Sequence, residues 1–187
     1  MVWNQPGARV LLDACCLINL LATDRLEEIL RALPCELATS RFIVTNEVLS
    51  LRSSPISGAP EERELISSER LERSDCLTIL EASGQEEIAQ VARFGEELDD
   101  GEASICALAV TRGGAVATDD AKALRVLQRL APGVSTVQTP ELLFEWARIS
   151  RPSHDQIGKM LRAVRHRARF HPRRDAPRFE WWNGFFL

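Results

Sequence analysis

The sequence lacks a long apolar run and a basic N-terminal leader, and each absence excludes a class of protein. The apolar stretch near the N-terminus is interrupted by Asp13 and Asn19, well short of the ~18 residues that a membrane span needs. Residues 1–7 contain no basic side chain, so no secretory signal peptide is predicted. We therefore expect a cytoplasmic protein without a membrane partner.

Cysteine and histidine are too few and too scattered for a disulfide or zinc framework. The five cysteines include no Cys-x-x-Cys pair, and the three histidines all lie near the C-terminus. This pattern is typical of buried thiols in a reducing compartment, and no structural zinc site is predicted.

The chain has an ordinary globular composition, with 187 residues of which 45% are hydrophobic and 27% are charged. Its net charge of −4 is unevenly distributed, because residues 1–147 sum to −11 and residues 148–187 sum to +7. We therefore separate a main domain, 1–147, from a basic, aromatic-rich C-terminal extension, 148–187. This extension could bind a polyanion or an acidic partner, or it could dock on its own acidic domain.

Short apolar strands alternate with helical patterns along the main domain, which predicts an α/β fold with a central, mostly parallel sheet flanked by helices. The predicted strands are 9–12, 36–39, one within 71–80, 115–117 and 134–137. The predicted helices are 15–21, 26–33, 40–51, 61–69, 85–98, 99–110, 121–130 and 140–146. A loop is predicted at 53–60, and a further helical pattern runs over 157–168 in the extension.

Several acids stand where parallel sheets bind ligands, beyond the carboxyl ends of strands. Asp13 directly follows the first strand, and Asp119 and Asp120 follow the strand at 115–117. Glu102 lies in the first turn of a helix that is apolar nearly all round. Taken singly, these acids could also serve as helix caps or complement a helix N-terminus.

Glu47 is a carboxylate inside an apolar helical stripe formed by Val44, Val48 and Leu51, where a buried charge needs a partner. Carboxylates that converge without basic partners repel each other unless a cation lies among them. Oxygen ligands without histidine or cysteine suit Mg²⁺ or Mn²⁺. Such a site can activate water and neutralise phosphate charge, as in metal-dependent nucleases.

Four short motifs resemble those of PIN-domain ribonucleases. An apolar strand ending in Asp, followed by an apolar helix, occupies 10–20, and Thr45-Asn-Glu-Val48 is similar to the second acidic motif. Gly101-Glu-Ala opens a segment that resembles the third motif, and Val116-Ala-Thr-Asp-Asp120 resembles the fourth. Together the motifs cover residues 9–138, and the resemblance implies a PIN-like three-layer sandwich.

The resemblance also implies roles for individual residues. The implied catalytic acids are Asp13, Glu47, Glu102 and Asp120. The implied Mg²⁺ or Mn²⁺ ligands are Asp13, Glu102, Asp120 and, as an accessory, Asp119. Thr118 would orient a ligand. Many members have Ser, Thr or Asn two residues after the first Asp, whereas this chain has Cys15, which we predict to pack in the core.

The function implied is that of an endoribonuclease that hydrolyses RNA phosphodiesters with metal-activated water, as the toxin of a toxin–antitoxin pair. The expected partners are RNA, a protein antitoxin and a second copy of the chain in a homodimer. The candidate RNA contacts in the extension are Arg162, Arg165, Arg167 and Arg169. Two alternatives stay open: a non-catalytic PIN-fold binding module, and a phosphoryl-transfer or phosphatase α/β domain.

Overall fold

A parallel β-sheet forms the centre of the computed structural model, which describes residues 3–47, 49–53 and 62–186. The strands, in chain order, are β1 (Arg9–Leu12), β2 (Glu36–Ser40), β3 (Ser50–Arg52), β4 (Arg63–Leu65), β5 (Leu77–Leu80), β6 (Ala115–Ala117) and β7 (Thr136–Val137). Five of them form the parallel sheet in the spatial order β5-β2-β1-β6-β7. Strands β3 and β4 pair separately as an antiparallel hairpin.

Helices flank the parallel sheet, which confirms the predicted three-layer α/β arrangement. They are α1 (Ala14–Ala22), α2 (Leu26–Ala32), α3 (Arg41–Asn46), α4 (Ser68–Glu72), α5 (Gln85–Gly95), α6 (Asp100–Arg112), α7 (Ala121–Leu130), α8 (Thr139–Ser150), α9 (His154–Ala163) and α10 (Phe179–Asn183). A short π-helical segment, Val164–Ala168, continues α9. Within the described residues, no helix has the length and apolar character needed to cross a membrane.

The core lies on both faces of the central strands. Val10, Leu11 and Leu12 of β1 are all completely buried, as expected for a parallel strand covered on both sides. Helix α6 contacts β1, β2 and β6 and is buried along most of its length, which agrees with its nearly continuous apolar sequence. Helices α1 and α2 both contact α8, and α5 packs on α6.

The helix predicted over 40–51 is shorter in the structure. Ser40 does cap it, accepting a hydrogen bond from the Ile43 N–H at 3.2 Å, but α3 ends at Asn46. Its last turn contains β-branched and amide side chains, which favour helices weakly, and Leu51 is instead buried in β3. The helical stripe proposed around Glu47 is therefore wrong; Val48, also assigned to it, lies outside the described residues.

The helix predicted over 61–69 is wrong for residues 62–67 and correct for residues 68 and 69. Residues Arg63–Leu65 form β4, because their backbone groups pair with β3, and a helix begins only at Ser68. This long-range pairing outweighs the local helix preference of a charged segment. The loop predicted at 53–60 lies outside the described residues except for Ser53.

The C-terminal extension packs against the main domain. Trp182 of α10 is completely buried, and the ring of Phe170 meets it edge-on at 5.5 Å. Trp181 contacts Phe144 of α8 with ring centroids 5.4 Å apart. Of the two roles predicted for the extension, the aromatic segment thus shows docking on the chain's own domain.

We expect Trp182→Ala to reduce the free energy of unfolding by about 3–5 kcal/mol, because it leaves a large cavity at a fully buried position. The matched control is Trp181→Ala, whose half-buried side chain should cost less than about half as much. Urea denaturation of both variants measures the difference. Equal losses would show that α10 does not anchor the extension through Trp182.

Candidate metal centre

Two of the predicted site acids, Asp13 and Asp120, follow β1 and β6, which are neighbouring strands of the parallel sheet. Leu12 of β1 is in register with Ala117 of β6, and the Asp13 N–H donates to the Ala117 carbonyl at 3.0 Å. From β1 the chain proceeds to β2 on one side of the sheet, and from β6 it proceeds to β7 on the other. The carboxyl ends of β1 and β6 therefore form the switch point at which α/β sheets bind ligands.

The Asp13 carboxylate is buried, with only 4% of the residue exposed, and is held by three donors. Oδ1 accepts from the Ala14 N–H at 2.6 Å, and Oδ2 accepts from the Thr118 hydroxyl at 2.9 Å. The Cys15 thiol also donates to Oδ2, at 3.1 Å. Core packing alone is thus an incomplete description of Cys15, because its thiol orients the acid.

Asp120 combines a capping role with an exposed position beside the same site. Its Oδ1 accepts hydrogen bonds from the Lys122 and Ala123 N–H groups, at 2.6 and 2.9 Å, at the start of α7. The Asp120 N–H donates to the Thr118 hydroxyl at 3.1 Å, which links it to the support of Asp13. Both of these capping bonds use Oδ1, so Oδ2 can face another ligand.

Glu47 reaches the beginning of α6 because residue 101 is glycine. A Cβ added at Gly101 would lie 1.6 Å from Oε1 of Glu47, so any side chain there would displace this carboxylate. Glu102 follows directly and lies half-buried in the first turn of α6. The glycine at 101 therefore leaves room for the Glu47 carboxylate against the first turn of α6.

Burial and mutual repulsion make ionisation of these acids costly. Burial, followed by the charges of Asp13 and Asp99, raises the pKa of Glu47 to about 7. Burial and the charges of Asp99, Asp13 and Asp120 raise the pKa of Glu102 to about 7. The pKa of Asp13 is also raised, chiefly by burial and to a smaller extent by Asp99, although its three hydrogen bonds oppose the rise.

Asp99 is the site residue that sequence reasoning missed. Its side chain accepts from the Glu102 N–H at 2.8 Å as the cap of α6, and its charge acts on three other acids of the site. Its position two residues before Gly101, next to the predicted site residue Glu102, is the feature of the sequence that could have identified it. We use the term acidic cluster for the five residues Asp13, Glu47, Asp99, Glu102 and Asp120.

The donor set of the acidic cluster fits a hard divalent cation. Among the ion pairs of residues 3–47, 49–53 and 62–186, none includes an acid of the cluster. The available ligand atoms are carboxylate oxygens, which Mg²⁺ and Mn²⁺ prefer. Asp13 and Asp120 are close enough to Glu102 for their charges to raise its pKa, which makes these three acids the candidate ligands. Among the described residues, the trio of potential ligand atoms within 4.8 Å of one another is that of Cys15, Cys16 and Asp119.

Asp119 faces a different set of neighbours. Its Oδ1 accepts from the Thr139 N–H at 3.0 Å, and its Oδ2 accepts from the Asn19 amide at 2.9 Å. Its oxygen also lies within 4.8 Å of the thiols of Cys15 and Cys16. Burial raises the pKa of Cys16 well above its ordinary value, which disfavours the thiolate that metals bind. The geometry thus supports a role for Asp119 in joining α1 to α8.

Arg167 is not available to RNA, which corrects one of the four predicted contacts. It is only 8% exposed, and its guanidinium pairs with Asp24 at 2.5 Å and Glu64 at 3.3 Å. It also donates to the Ala22 carbonyl at 3.2 Å. Arg162, Arg165 and Arg169 are exposed, and the guanidinium of Arg165 lies 5.0 Å from the ring centroid of Phe186.

Comparison with known proteins gives no match, whether with family models, with curated proteins or with solved structures. The chemistry of the acidic cluster is therefore the basis for a functional proposal.

In the metal-free protein, we expect stability to fall as the pH rises from about 4.5 to about 7. The pKa of Glu102 is raised from 4.5 to about 7, so the folded chain binds more protons than the unfolded chain in this window. Above it, Glu102→Gln should raise the melting temperature by about 2–4 °C, the shift that about 1 kcal/mol gives at this chain length.

The control is Glu96→Gln, which neutralises an exposed acid at the end of α5. Thermal melts with a chelator across this pH range should show a shallower slope for Glu102→Gln only. Parallel slopes for wild type and both variants would contradict the repulsion within the cluster.

Proposed function

We propose that the protein is a Mg²⁺- or Mn²⁺-dependent endoribonuclease of the PIN type. The observation that carries this proposal is the acidic cluster beside the switch point of the sheet, in which burial and the charges of neighbouring acids raise the pKa of Asp13, Glu47 and Glu102. Without a cation this arrangement opposes folding, and a bound divalent ion would remove the penalty. The exposed basic side chains of the extension favour a polyanionic substrate.

The residues of the cluster would have distinct tasks. Asp13, Glu102 and Asp120 hold the cation, which when bound supplies water activation and charge neutralisation at the phosphate. Thr118 and Cys15 fix the Asp13 carboxylate through bonds of 2.9 and 3.1 Å. These bonds limit the reorganisation that ligand binding requires.

Glu47 lies beside these ligands and, in the metal-free protein, has a pKa raised to about 7 by burial and the charges of Asp13 and Asp99, so a bound cation would favour its ionised form. As the toxin of a toxin–antitoxin pair, the protein would also bind a protein antitoxin and pair as a homodimer. RNA cleavage and metal binding can be tested without that partner.

We expect Asp13→Asn and Glu102→Gln each to reduce Mg²⁺- or Mn²⁺-dependent RNA cleavage by at least about 100-fold. Loss of a residue that only hydrogen-bonds to a metal ligand reduces activity by up to about 100-fold, and loss of a ligand should reduce it at least as much. Wild type should be stabilised by about 2.7 kcal/mol at a metal concentration of 100 times Kd, and the variants by less. Gel assays of RNA cleavage and metal titrations of the melting temperature provide the two measurements.

The outcomes separate the alternatives. Metal-dependent stabilisation without RNA cleavage would favour the non-catalytic binding module, and an acyl-phosphate formed from a phosphoryl donor would favour the phosphoryl-transfer domain. Wild-type RNA cleavage by Asp13→Asn would reject the site itself.

The neighbouring acids Asp99 and Asp100 offer a matched test of the cluster. Asparagine caps helices as well as aspartate does, so Asp99→Asn should keep the α6 cap while removing one charge from the site. We expect it to weaken Mn²⁺ binding by about tenfold, whereas Asp100→Asn should change the affinity by less than about twofold. Calorimetric titration with Mn²⁺ measures both, and equal effects would show that only overall charge matters.

A further inference from the structure

A cavity of about 360 Å³ lies directly beside the acidic cluster, between the start of α7 and segment 170–176 of the extension. The main domain and the extension each provide one wall. Its lining includes Asp120, Leu124 and Gln138 from the main domain, and Phe170, His171, Arg173 and Ala176 from the extension. Asp120 therefore belongs to both the cavity and the cluster.

The extension wall of this cavity is anchored. Phe170 packs edge-on against the completely buried Trp182, with ring centroids 5.5 Å apart. Pro172, which also lines the cavity, is itself buried. Phe170 and Pro172 of this wall are consequently part of the packed structure, whereas His171 and Arg173 are exposed.

The lining matches the chemistry of a nucleobase, which has apolar faces and a polar edge. Leu124 and Phe170 supply apolar and aromatic surface, and Gln138 and His171 are polar lining residues. The Nδ1–H of His171 donates to the Pro172 carbonyl at 2.9 Å, which leaves its Nε2 for a ligand. Proteins commonly bind single-stranded nucleic acids by stacking the bases on aromatic side chains, while nearby basic side chains contact the phosphates. The volume lies within the usual range for pockets that bind small molecules.

The guanidinium of Arg173 is the positive charge beside this cavity that can bind a phosphate of the nucleic-acid backbone. This guanidinium pairs with Asp175 at 3.2 Å, and both side chains are largely exposed. Exposed pairs of this kind contribute little free energy, so exchange of the Asp175 carboxylate for a phosphate is inexpensive.

We propose that this cavity binds the nucleoside adjacent to the phosphate that is cleaved at the acidic cluster, and that Arg173 contacts a neighbouring phosphate. This inference rests on the proposed ribonuclease function. It assigns substrate recognition to the C-terminal extension, through a segment distinct from the arginines at 162–169.

Adjacent arginines allow a matched test. Arg173 lines the cavity, whereas Arg174 is also exposed but does not line it. Anisotropy of a labelled single-stranded oligoribonucleotide, measured in EDTA to prevent cleavage, should show about tenfold weaker binding for Arg173→Ala, equivalent to one charge-assisted hydrogen bond, and less than about twofold for Arg174→Ala. Equal losses would indicate general charge attraction and would overturn the inference.

A second pair of variants tests the cavity by filling it. Ala176→Trp should weaken the same RNA binding by about tenfold, because a stacked base contributes about 1–3 kcal/mol. The control, Ala131→Trp, places the same side chain at the opposite end of α7, outside this cavity. Unchanged RNA affinity in Ala176→Trp would reject the cavity as a nucleoside site.

The stabilisation of each variant by Mn²⁺ distinguishes the two proposals. If Ala176→Trp keeps the wild-type increase in melting temperature with Mn²⁺ but loses RNA affinity, both proposals are supported. If wild type shows neither an increase with Mn²⁺ nor RNA cleavage, the proposed function fails, while the RNA titrations in EDTA still decide whether the cavity binds RNA. Absence of RNA binding by wild type would overturn the inference.

Discussion

Strand β1 pairs with β6 at the centre of the parallel sheet, and this pairing brings residues that are 105 positions apart in the chain into hydrogen-bond contact. Asp13 leaves one strand and Thr118 leaves the other, so the hydroxyl of Thr118 can donate to the carboxylate. Both strands are buried, and slipping the register by one residue would turn their side chains to the opposite faces. The position of the acidic cluster therefore depends on core packing.

Ionising the acids of the acidic cluster costs free energy, and hydrogen bonds within the site offset part of that cost. Burial, and to a smaller extent repulsion by neighbouring acids, raises the pKa of Glu47, Glu102 and Asp13, which makes their ionised state unfavourable. Hydrogen bonds from Thr118 and Cys15 partly offset that cost at Asp13. Such stored repulsion is typical of functional sites, because the ligand that relieves it binds more strongly.

The basic C-terminal extension docks on the acidic main domain and also places positive charge beside the acidic cluster. Its aromatic side chains anchor it on the main domain, and its buried Arg167 pairs with two acids of that domain. These contacts use one of its basic groups internally and leave Arg173 beside the cavity. One segment can thus dock on its own acidic domain and still present positive charge to an anionic ligand.

Local patterns in the sequence were sufficient to predict several elements of this fold. Helix α7 was predicted over its exact range, 121–130, because its apolar period is strong and Asp120 caps it. The strands at 9–12 and 115–117 are also predicted correctly, since short apolar runs closely followed by acids are typical of buried parallel strands. The positions of Asp13 and Asp120 at strand ends followed from the same pattern.

The sequence by itself therefore determined the α/β order and the acids at the strand ends, because caps, apolar periods and strand lengths depend on neighbouring residues. Only the tertiary structure decided that Asp119 bonds to Asn19 and Thr139, that Asp99 acts on the cluster, and that Arg167 is buried. These outcomes depend on partners that are distant in the chain, and packing selects such partners by geometry. Local sequence patterns therefore cannot predict which distant residues come into contact.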